Sequence, residues 1–525
     1  MGSSFFEFNI ATTGLFAARA GLEITSNNVA NVATPGYSRQ YIKQKASTPL
    51  NRYSGVGQVG TGTVVYGVGQ HRDVYLDQKY WPQVSTLGEY SQKSQQLKIM
   101  ETSLGQLSET GLTNNVNDFF KSISDLAFTS DSLEYRMAVI NTADTLVTNI
   151  RNHAIKLRQQ QVDLNDDVYA VVERINSIGT QLASLNEQIY QYEIDGHTAN
   201  DLRDQRALLI DELSKYVNID IKEYDDGTGR ELGKKYIILL NGQEFVNGEN
   251  VRKLECVRRE NLLHPDDPPG MYDIQWTNGD SLNLKTLSGE LKGILDMRDG
   301  NGGLPIQPPN DDKQMEYKGI PYYIQKLNEF VRTMAYAMNE GKRYSDGEPL
   351  EGVIGHQDGF DMEGNPGGLL FTMRDPNTGQ TIENRVNYAQ INAFNFSISD
   401  TVKNDPKKLA ISDTPDSTQE SNNKVVLGFL KLKDDVTLFA EGGAYQFVNA
   451  VASTLAIDTK QANNFNDFYT DVTKTIDNQR MQVSAVSINE EVANMVMYQH
   501  LYQVSSKLMN VINEVYNTTI NGLGV

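Results

Sequence analysis

The stretch SNNVANVATPGYSRQ, residues 26–40, contains the point where the sequence predicts that an N-terminal helix ends and a different part of the fold begins. Asparagines are poor residues for the middle of a helix, and Pro35 disfavours the helical conformation of Thr34, the residue before it. We therefore expect a helix to end near Asn31 or Ala33 and TPG to form a sharp turn. Residues 37–40 should then leave in extended form.

The helix before this turn has an apolar stripe at alternating spacings of three and four residues, and the C-terminus has a similar one. The N-terminal positions are Phe8, Ala11, Leu15, Ala18, Leu22, Thr25, Val29 and Val32. The C-terminal positions are Ile488, Val492, Met495, Gln499, Tyr502, Ser506, Met509, Asn513, Tyr516, Ile520 and Leu523. A second C-terminal stripe runs beside the first through Leu501, Leu508, Ile512 and Val515. Two stripes on one helix indicate partners on more than one side.

Both ends of the chain have little charge. Residues 1–40 contain only Glu7, Arg19, Glu23 and Arg39 as charged side chains. Residues 484–525 contain only Glu490, Glu491, Lys507 and Glu514, apart from His500. Two interpretations are open: the ends are two core helices of a compact domain, or they are polymerisation helices that order when other subunits surround them. The low charge favours polymerisation, because a helix facing water normally carries Lys and Glu.

The composition excludes several classes of protein. The 525-residue chain has a formal net charge of −20, which argues against nucleic acid or an anionic membrane as partner. It contains no apolar run long enough for a transmembrane helix and no pattern of a cleaved signal peptide. Cys256 is the single cysteine, so no intramolecular disulfide forms.

Five stretches carry a family resemblance. SNNVANVATPGYSRQ resembles the N-terminal signature of the axial proteins of the bacterial flagellum, which are the rod, hook and junction proteins; its matching residues are Asn27, Asn28, Asn31, Pro35, Gly36 and Tyr37. SINEEVANMVMYQHLYQVSSKLMNVINEV (487–515) is similar to the terminal helix of that family. NDLRDQRALLIDELSKYVNIDI (200–221) closely resembles the family members at the hook–filament junction, and residues 59–81 and 319–341 also fit them.

The resemblance implies a structural, non-enzymatic subunit of the flagellum at the hook–filament junction. Such a subunit is extracellular, leaves the cell through the flagellar type III apparatus without a cleaved signal peptide, and self-assembles through its terminal helices. The implied partners are other copies of the chain, the hook protein, the next junction protein and an export chaperone on the C-terminal helix. A hook or distal rod protein of the same family is the alternative, and the stretch at 200–221 argues against it.

The resemblance and the stripes together predict the interface residues. We expect the N-terminal assembly interface at Phe8, Ala11, Leu15, Ala18, Leu22, Val29 and Val32. We expect the C-terminal interface, shared by assembly and chaperone, at Ile488, Val492, Met495, Leu501, Tyr502, Leu508, Met509, Ile512, Val515 and Tyr516.

The predicted fold is multidomain and mainly α with β-rich parts. Residues 1–58 and 484–525 form the terminal coiled coil. Residues 59–218 and 286–483 form a helical core domain, with a β-rich part at 352–424. Residues 219–285 alternate or run β-branched between glycine turns, which predicts a small inserted β-rich outer domain. A long bundle helix is indicated by Val168, Val171, Ile175, Ile178, Leu182, Leu185, Ile189 and Tyr192. The helix after it places Leu202, Leu209 and Leu213 inward and Arg203, Asp204 and Arg206 on a solvated, charged face.

No motif for catalysis or cofactor binding stands out. GVGQVG (55–60) has glycine spacing of a dinucleotide loop, but the exit TGTVVY predicts a strand where that loop needs a helix. DGFDMEGNPG (358–367) is better interpreted as a turn than as a calcium loop, because Pro366 stands where glycine is required. The six histidines are scattered, so no zinc site, no metal and no cofactor are predicted. An adhesin or enzyme carried by the inserted domain is the alternative from a different class.

Overall fold

The computed structural model describes residues 6–51, 57–103, 111–194, 196, 198–224, 235–304, 315–376, 378–416 and 422–522. Its helices are α1 (Phe6–Ala30), α2 (Val74–Ser103), α3 (Leu112–Phe128), α4 (Leu133–Glu193), α5 (Asn200–Tyr216), α6 (Glu290–Asp299), α7 (Ile320–Glu340), α8 (Asp400–Asn404), α9 (Lys424–Lys431), α10 (Ala444–Ser484) and α11 (Ile488–Asn517). Its strands are β1 (Gln40–Ala46), β2 (Leu50–Asn51), β3 (Gln58–Val59), β4 (Thr63–Gln70), β5 (Ile219–Tyr224), β6 (Lys235–Leu240), β7 (Gln243–Asn247), β8 (Asn250–Val251), β9 (Leu254–Arg258), β10 (Tyr272–Trp276), β11 (Phe371–Met373) and β12 (Phe396–Ile398).

The strands form small antiparallel sheets. One sheet has the order β5-β6-β7-β8, and the pairs are β1 with β4, β2 with β3, β9 with β10, and β11 with β12. Asn241 and Gly242 join β6 to β7 with positive φ angles of 49° and 79°, which is the conformation of a tight hairpin turn. The fold-class prediction, a mainly helical multidomain protein with small β-rich parts, is confirmed.

The 61-residue helix α4 is the central helix on which other helices pack. Its apolar residues recur at three-four spacing, so one face stays buried along its length, as at Val168, Ile175 and Leu182. Helices α3, α5, α6 and α7 pack on it, and α10 packs along α2. The helices that pack together therefore come from both halves of the chain. Tyr192, the last position of the predicted stripe, is 60% exposed and lies one residue before the end of α4 at Glu193.

The β-rich segment 219–285 shares its core with α4. Phe245 of β7 lies against α4 at Gly179, where an added Cβ would stand 2.4 Å from its ring. Asn176 of α4 exchanges two hydrogen bonds with the backbone of Leu254 in β9, at 2.8 and 2.9 Å. Buried side chains of both segments belong to one continuous hydrophobic cluster. The boundary of an inserted domain therefore stays a prediction.

Segment 352–424 was predicted to be β-rich, and the described part of it is not. It contains two strands of three residues each, β11 and β12, with turns and loops around them. Asparagines and aspartates of this segment accept hydrogen bonds from nearby backbone amides, as Asp361 Oδ1 does from the amide of Asn365 at 2.9 Å, which favours turns over strands.

Among the described residues, no helix is both long and apolar enough to cross a lipid bilayer.

Candidate assembly site

Helices α1 and α11 pair along a seam of small side chains. The residues of α1 buried in the structure are Ala11, Ala17, Ala18, Gly21, Thr25 and Asn28. Gly21 faces the ring of Tyr498, and an added Cβ would stand 2.5 Å from that ring. The ring of Tyr498 therefore packs directly on the backbone of α1, but the small side chains of α1 bury little apolar area, so the seam contributes little free energy.

The predicted N-terminal interface residues divide between this seam and the surface. Ala11 and Ala18 are buried in the seam. Phe8, Leu15, Leu22 and Val29 are half-buried, and Val32 lies exposed beyond the end of α1. The stripe is therefore only partly covered by α11.

Most predicted C-terminal interface residues face away from α1. Ile512 is buried at 6% exposure, and Met495, Met509 and Tyr516 are half-buried. The remaining positions are exposed and are Ile488, Val492, Leu501, Tyr502, Leu508 and Val515. Leu523 lies outside the described residues. The seam itself uses Glu491 and Tyr498, which the apolar pattern missed because neither belongs to an apolar stripe.

Helix α11 carries an exposed apolar stripe on the side away from the seam, which we call the outer stripe. Its spacing of four and three residues places every member on one helix face. Its side chains are between 45% and 62% exposed, and they are Met497, Leu501, Val504, Leu508, Val511 and Val515. The sequence prediction included Leu501, Leu508 and Val515 and missed the other three. A continuous exposed apolar stripe of this kind marks an interaction surface.

The turn after α1 is held by the side chain of Asn28. Its Nδ2 donates to the carbonyl of Gln40 at 2.9 Å and to the carboxylate of Glu491 at 3.0 Å. Its Oδ1 accepts from the Tyr37 hydroxyl at 2.8 Å and from the Gln40 amide at 2.9 Å. Arg39 then donates to Glu491 at 2.7 Å. The end of α1, the start of β1 and the first turn of α11 are thereby tied together.

The remaining signature residues shape the turn itself. Helix α1 ends at Ala30, and the amide of Tyr37 donates to the carbonyl of Thr34, as the sequence predicted for a turn at TPG. Gly36 has a φ of +77°, which a glycine adopts without strain. The Nδ2 of Asn31 donates to the backbone carbonyl of Asn27 at 3.0 Å and to the side-chain oxygen of Asn27 at 2.8 Å. Pro35 is exposed at the tip.

Helix α5 holds the chain that follows this turn, and this corrects the prediction of a solvated charged face. Asp204 is buried, and its carboxylate accepts from the amide and the hydroxyl of Ser38, each at 2.8 Å. Asp201 accepts from the side chain of Gln40 at 2.7 Å. Burial raises the pKa of Asp204, while the bonds from Ser38 oppose that rise. Arg206 is buried as well. Tertiary packing, which the helical spacing alone does not show, decides these positions.

A second set of charges links α2, α5 and α10 beside the turn. Arg480 of α10 donates to Asp77 of α2 and to Asp211 of α5, both at 2.7 Å, and it lies over the ring of Tyr80. The indole of Trp81 also donates to Asp211, at 2.8 Å. We call these residues the joint network, because they adjoin the turn between the helix pair and the helical domain. A cavity of about 690 Å³ lies between the turn, α5 and the end of α10.

The residues considered for a catalytic or metal site make contacts that support the fold instead. In the loop 358–367, Asp361 accepts from two backbone amides, and Lys408 lies 3.1 Å from its carboxylate, where a cation would otherwise bind. Cys256 is half-buried, and burial raises the pKa of its thiol to about 11, which keeps it protonated at neutral pH. The described residues contain no group of three or more His, Cys, Asp or Glu side chains that could hold a metal ion. The G-x-G-x-x-G stretch begins outside the described residues, and the strand predicted after it is β4.

Comparisons with known proteins match this architecture. Residues 97–371 match the family described as "Flagellar hook-associated protein FlgK helical domain", and residues 8–37 match "Flagella basal body rod protein". The chain is 27% identical to flagellar hook-associated protein 1 of Bacillus subtilis (strain 168), covering 100% of this chain and 99% of that one. It is 25% identical to the protein of the same description from Escherichia coli (strain K12), covering 98% and 99%. The solved flagellar hook junction protein FlgK from Burkholderia pseudomallei has a similar fold, with a TM-score of 0.54 and 14% identity, over 77% of this chain and 100% of that one.

Proposed function

The chain belongs to the family of flagellar hook-associated protein FlgK, and from this premise we propose that it is a structural subunit of the hook–filament junction that assembles through α1 and α11. The single observation that carries the proposal is the outer stripe, which the helix pair of one chain leaves uncovered. The low charge of both ends and the thin seam support an arrangement in which neighbouring subunits complete the packing.

The proposal names partners for the two ends. The outer stripe of α11 contacts other copies of the chain, and the tube they form contacts the hook protein below and the next junction protein above. Before assembly, an export chaperone covers α11, because its apolar surface would otherwise cause association in the cytoplasm. The protein reaches its extracellular position on the flagellum through the flagellar type III apparatus, without a cleaved signal peptide, and performs no catalysis.

The alternative within the same family, a hook or distal rod protein, predicts a different position in the flagellum. The match to the helical domain over 97–371 supports the junction. The two positions are distinguished by deleting the gene in its source bacterium and inspecting the cell surface by electron microscopy. A junction subunit is required only beyond the hook, so we expect complete hooks without filaments. Cells lacking hooks would indicate the rod or hook position, and cells with normal filaments would refute the proposal.

The role of the outer stripe is tested in the same strain by complementation. The wild-type gene should restore filaments, whereas Leu501→Asp should not, because it places a carboxylate on the proposed contact surface. Val436→Asp is the matched control, since Val436 is exposed and belongs to neither terminal helix. Restoration by Leu501→Asp would show that the outer stripe is not the contact surface.

A further inference from the structure

Arg206 of α5 is a buried cation without a carboxylate partner. Its side chain is 8% exposed, its Nη1 donates to Asn186 Oδ1 at 3.1 Å, and its guanidinium lies 3.7 Å from the centre of the Tyr236 ring. Within the described ranges it makes no ion pair. Burial lowers the pKa of Arg206, so the surroundings do not offset the loss of water around its charge. Buried charges in proteins are normally paired, and an anion is missing here.

The neighbouring Arg203 shows which chemical group the unpaired edge of the Arg206 guanidinium could bind. In Arg203, Nε and Nη2 bind the two carboxylate oxygens of Glu193 at 2.6 and 2.7 Å. In Arg206 the same two nitrogens donate to no described residue, and neither is sealed from solvent. This edge of a guanidinium matches the two oxygens of a carboxylate. Glu193 does not supply that carboxylate, since Arg203 already occupies both of its oxygens.

Arg206 lines a cleft of about 460 Å³ between the end of α4 and the four-stranded sheet. The volume is within the range of small-molecule sites. Polar groups without net charge line the cleft beside the cation, namely Asn186, Tyr190, Tyr236, Asn247 and Asn250. The charges of Arg203, Glu193 and Glu223 act on Arg206 from outside this lining, and neither of the two carboxylates forms an ion pair with it. Glu187 and Glu249 lie exposed at its edge, and their charge would repel a ligand with several negative charges.

We propose that this cleft binds a small organic carboxylate of about monosaccharide size, with the guanidinium of Arg206 as its anchor. One carboxylate pairs with the unpaired edge of the Arg206 guanidinium, and a neutral polar body matches the amide and phenol groups that line the cleft. The site goes beyond the assembly role and does not depend on it, because α1 and α11 contribute no residue to the cleft. The carboxylate comes either from a free sugar acid or from an acidic side chain of another protein chain.

Calorimetric titration of the full chain tests the proposal. The probes are D-galacturonate, D-galactose and N-acetyl-L-aspartate amide. Galactose has a hydroxymethyl group in place of the carboxylate, and the blocked aspartate presents the carboxylate as a protein side chain does. We expect saturable binding of at least one carboxylate probe and none of galactose. The probe that binds identifies the source of the ligand.

Substitutions at the anchor and the rim complete the test. Arg206→Lys keeps the charge but loses the two-pronged edge, so we expect binding at least tenfold weaker. Should that variant fail to fold, Asn250→Asp serves instead: it adds a carboxylate at the exposed rim and should weaken binding several-fold. Asn141→Asp, on an exposed part of α4, is the matched control and should bind as the wild type does. Absence of binding by both carboxylates up to about 10 mM, equal binding of galactose, or unchanged affinity in both site variants would overturn the proposal.

Discussion

Leu508→Asp and Ile512→Asp are neighbouring substitutions that should fail in different ways. Leu508 belongs to the outer stripe and is 45% exposed, whereas Ile512 is 6% exposed in the seam with α1. In the free chain, Leu508→Asp places its carboxylate in water and should change the free energy of unfolding by only about 0.5 kcal/mol. Ile512→Asp buries a carboxylate without a partner and should separate the helix pair.

The effect of Leu508→Asp on assembly follows from its exposure. Burying a whole leucine contributes about 1.5–3 kcal/mol, so covering the exposed half contributes about 1 kcal/mol. An unpaired carboxylate in an apolar contact costs at least about 3 kcal/mol more. The sum of about 4 kcal/mol corresponds to roughly a thousandfold loss of affinity at each contact.

Assembly of a layer of fluorescently labelled full chains on isolated hooks measures this loss, because the layer is stable only when its copies contact one another. Hydrogen exchange on the free chain measures the state of the helix pair. We expect Leu508→Asp to keep the exchange pattern of the wild type and to lose binding to hooks. Ile512→Asp should exchange faster throughout α1 and α11. Wild-type binding by Leu508→Asp would refute the assignment of the outer stripe, and faster exchange in that variant would mean that the stripe supports the free chain instead.

Three further substitutions test the packing and the electrostatics. Arg480→Gln leaves Asp211 without its cation, while Asp77 keeps its ion pair with Arg72, and it should lower the free energy of unfolding, measured in urea, by about 3 kcal/mol. Arg19→Gln, which breaks an exposed pair, should change it by less than about 1 kcal/mol, and equal effects would contradict this account. Burial lowers the pKa of His356 from 6.5 to about 4, so the unfolded chain binds the proton first as the pH falls, and about 2 kcal/mol of stability should be lost between pH 7 and pH 5. That loss should persist in His500→Asn and be about 2 kcal/mol smaller in His356→Asn, where His71 and His153 remain, whose pKa burial also lowers. An equal loss in both variants would contradict it. Gly21→Leu should force α1 and α11 apart and accelerate their amide exchange at least tenfold, whereas unchanged exchange would mean that the seam is not closely packed.

Local sequence patterns determined the regular elements and their ends. The asparagines and Pro35 placed the end of α1 within a few residues of Ala30, because backbone preferences act on neighbours in sequence. The three-four spacing from Val168 to Ile189 predicted the long helix α4, and NGQ predicted the turn between β6 and β7. The resemblance of five stretches was sufficient to identify the family.

Only the tertiary structure decided which side chains meet across the fold. The spacing of charges on α5 is the same whether they face water or a partner, so the burial of Asp204 against Ser38 and of Arg206 against Tyr236 could not be read from it. In the same way, the spacing of apolar residues does not reveal which face of the helix a partner covers. The seam with α1 runs through Gly21 and Tyr498, because a residue without a side chain leaves room for that ring, and the outer stripe is left exposed. Sequence fixes preferences along the chain, whereas pairings between segments hundreds of residues apart depend on packing that no local pattern contains.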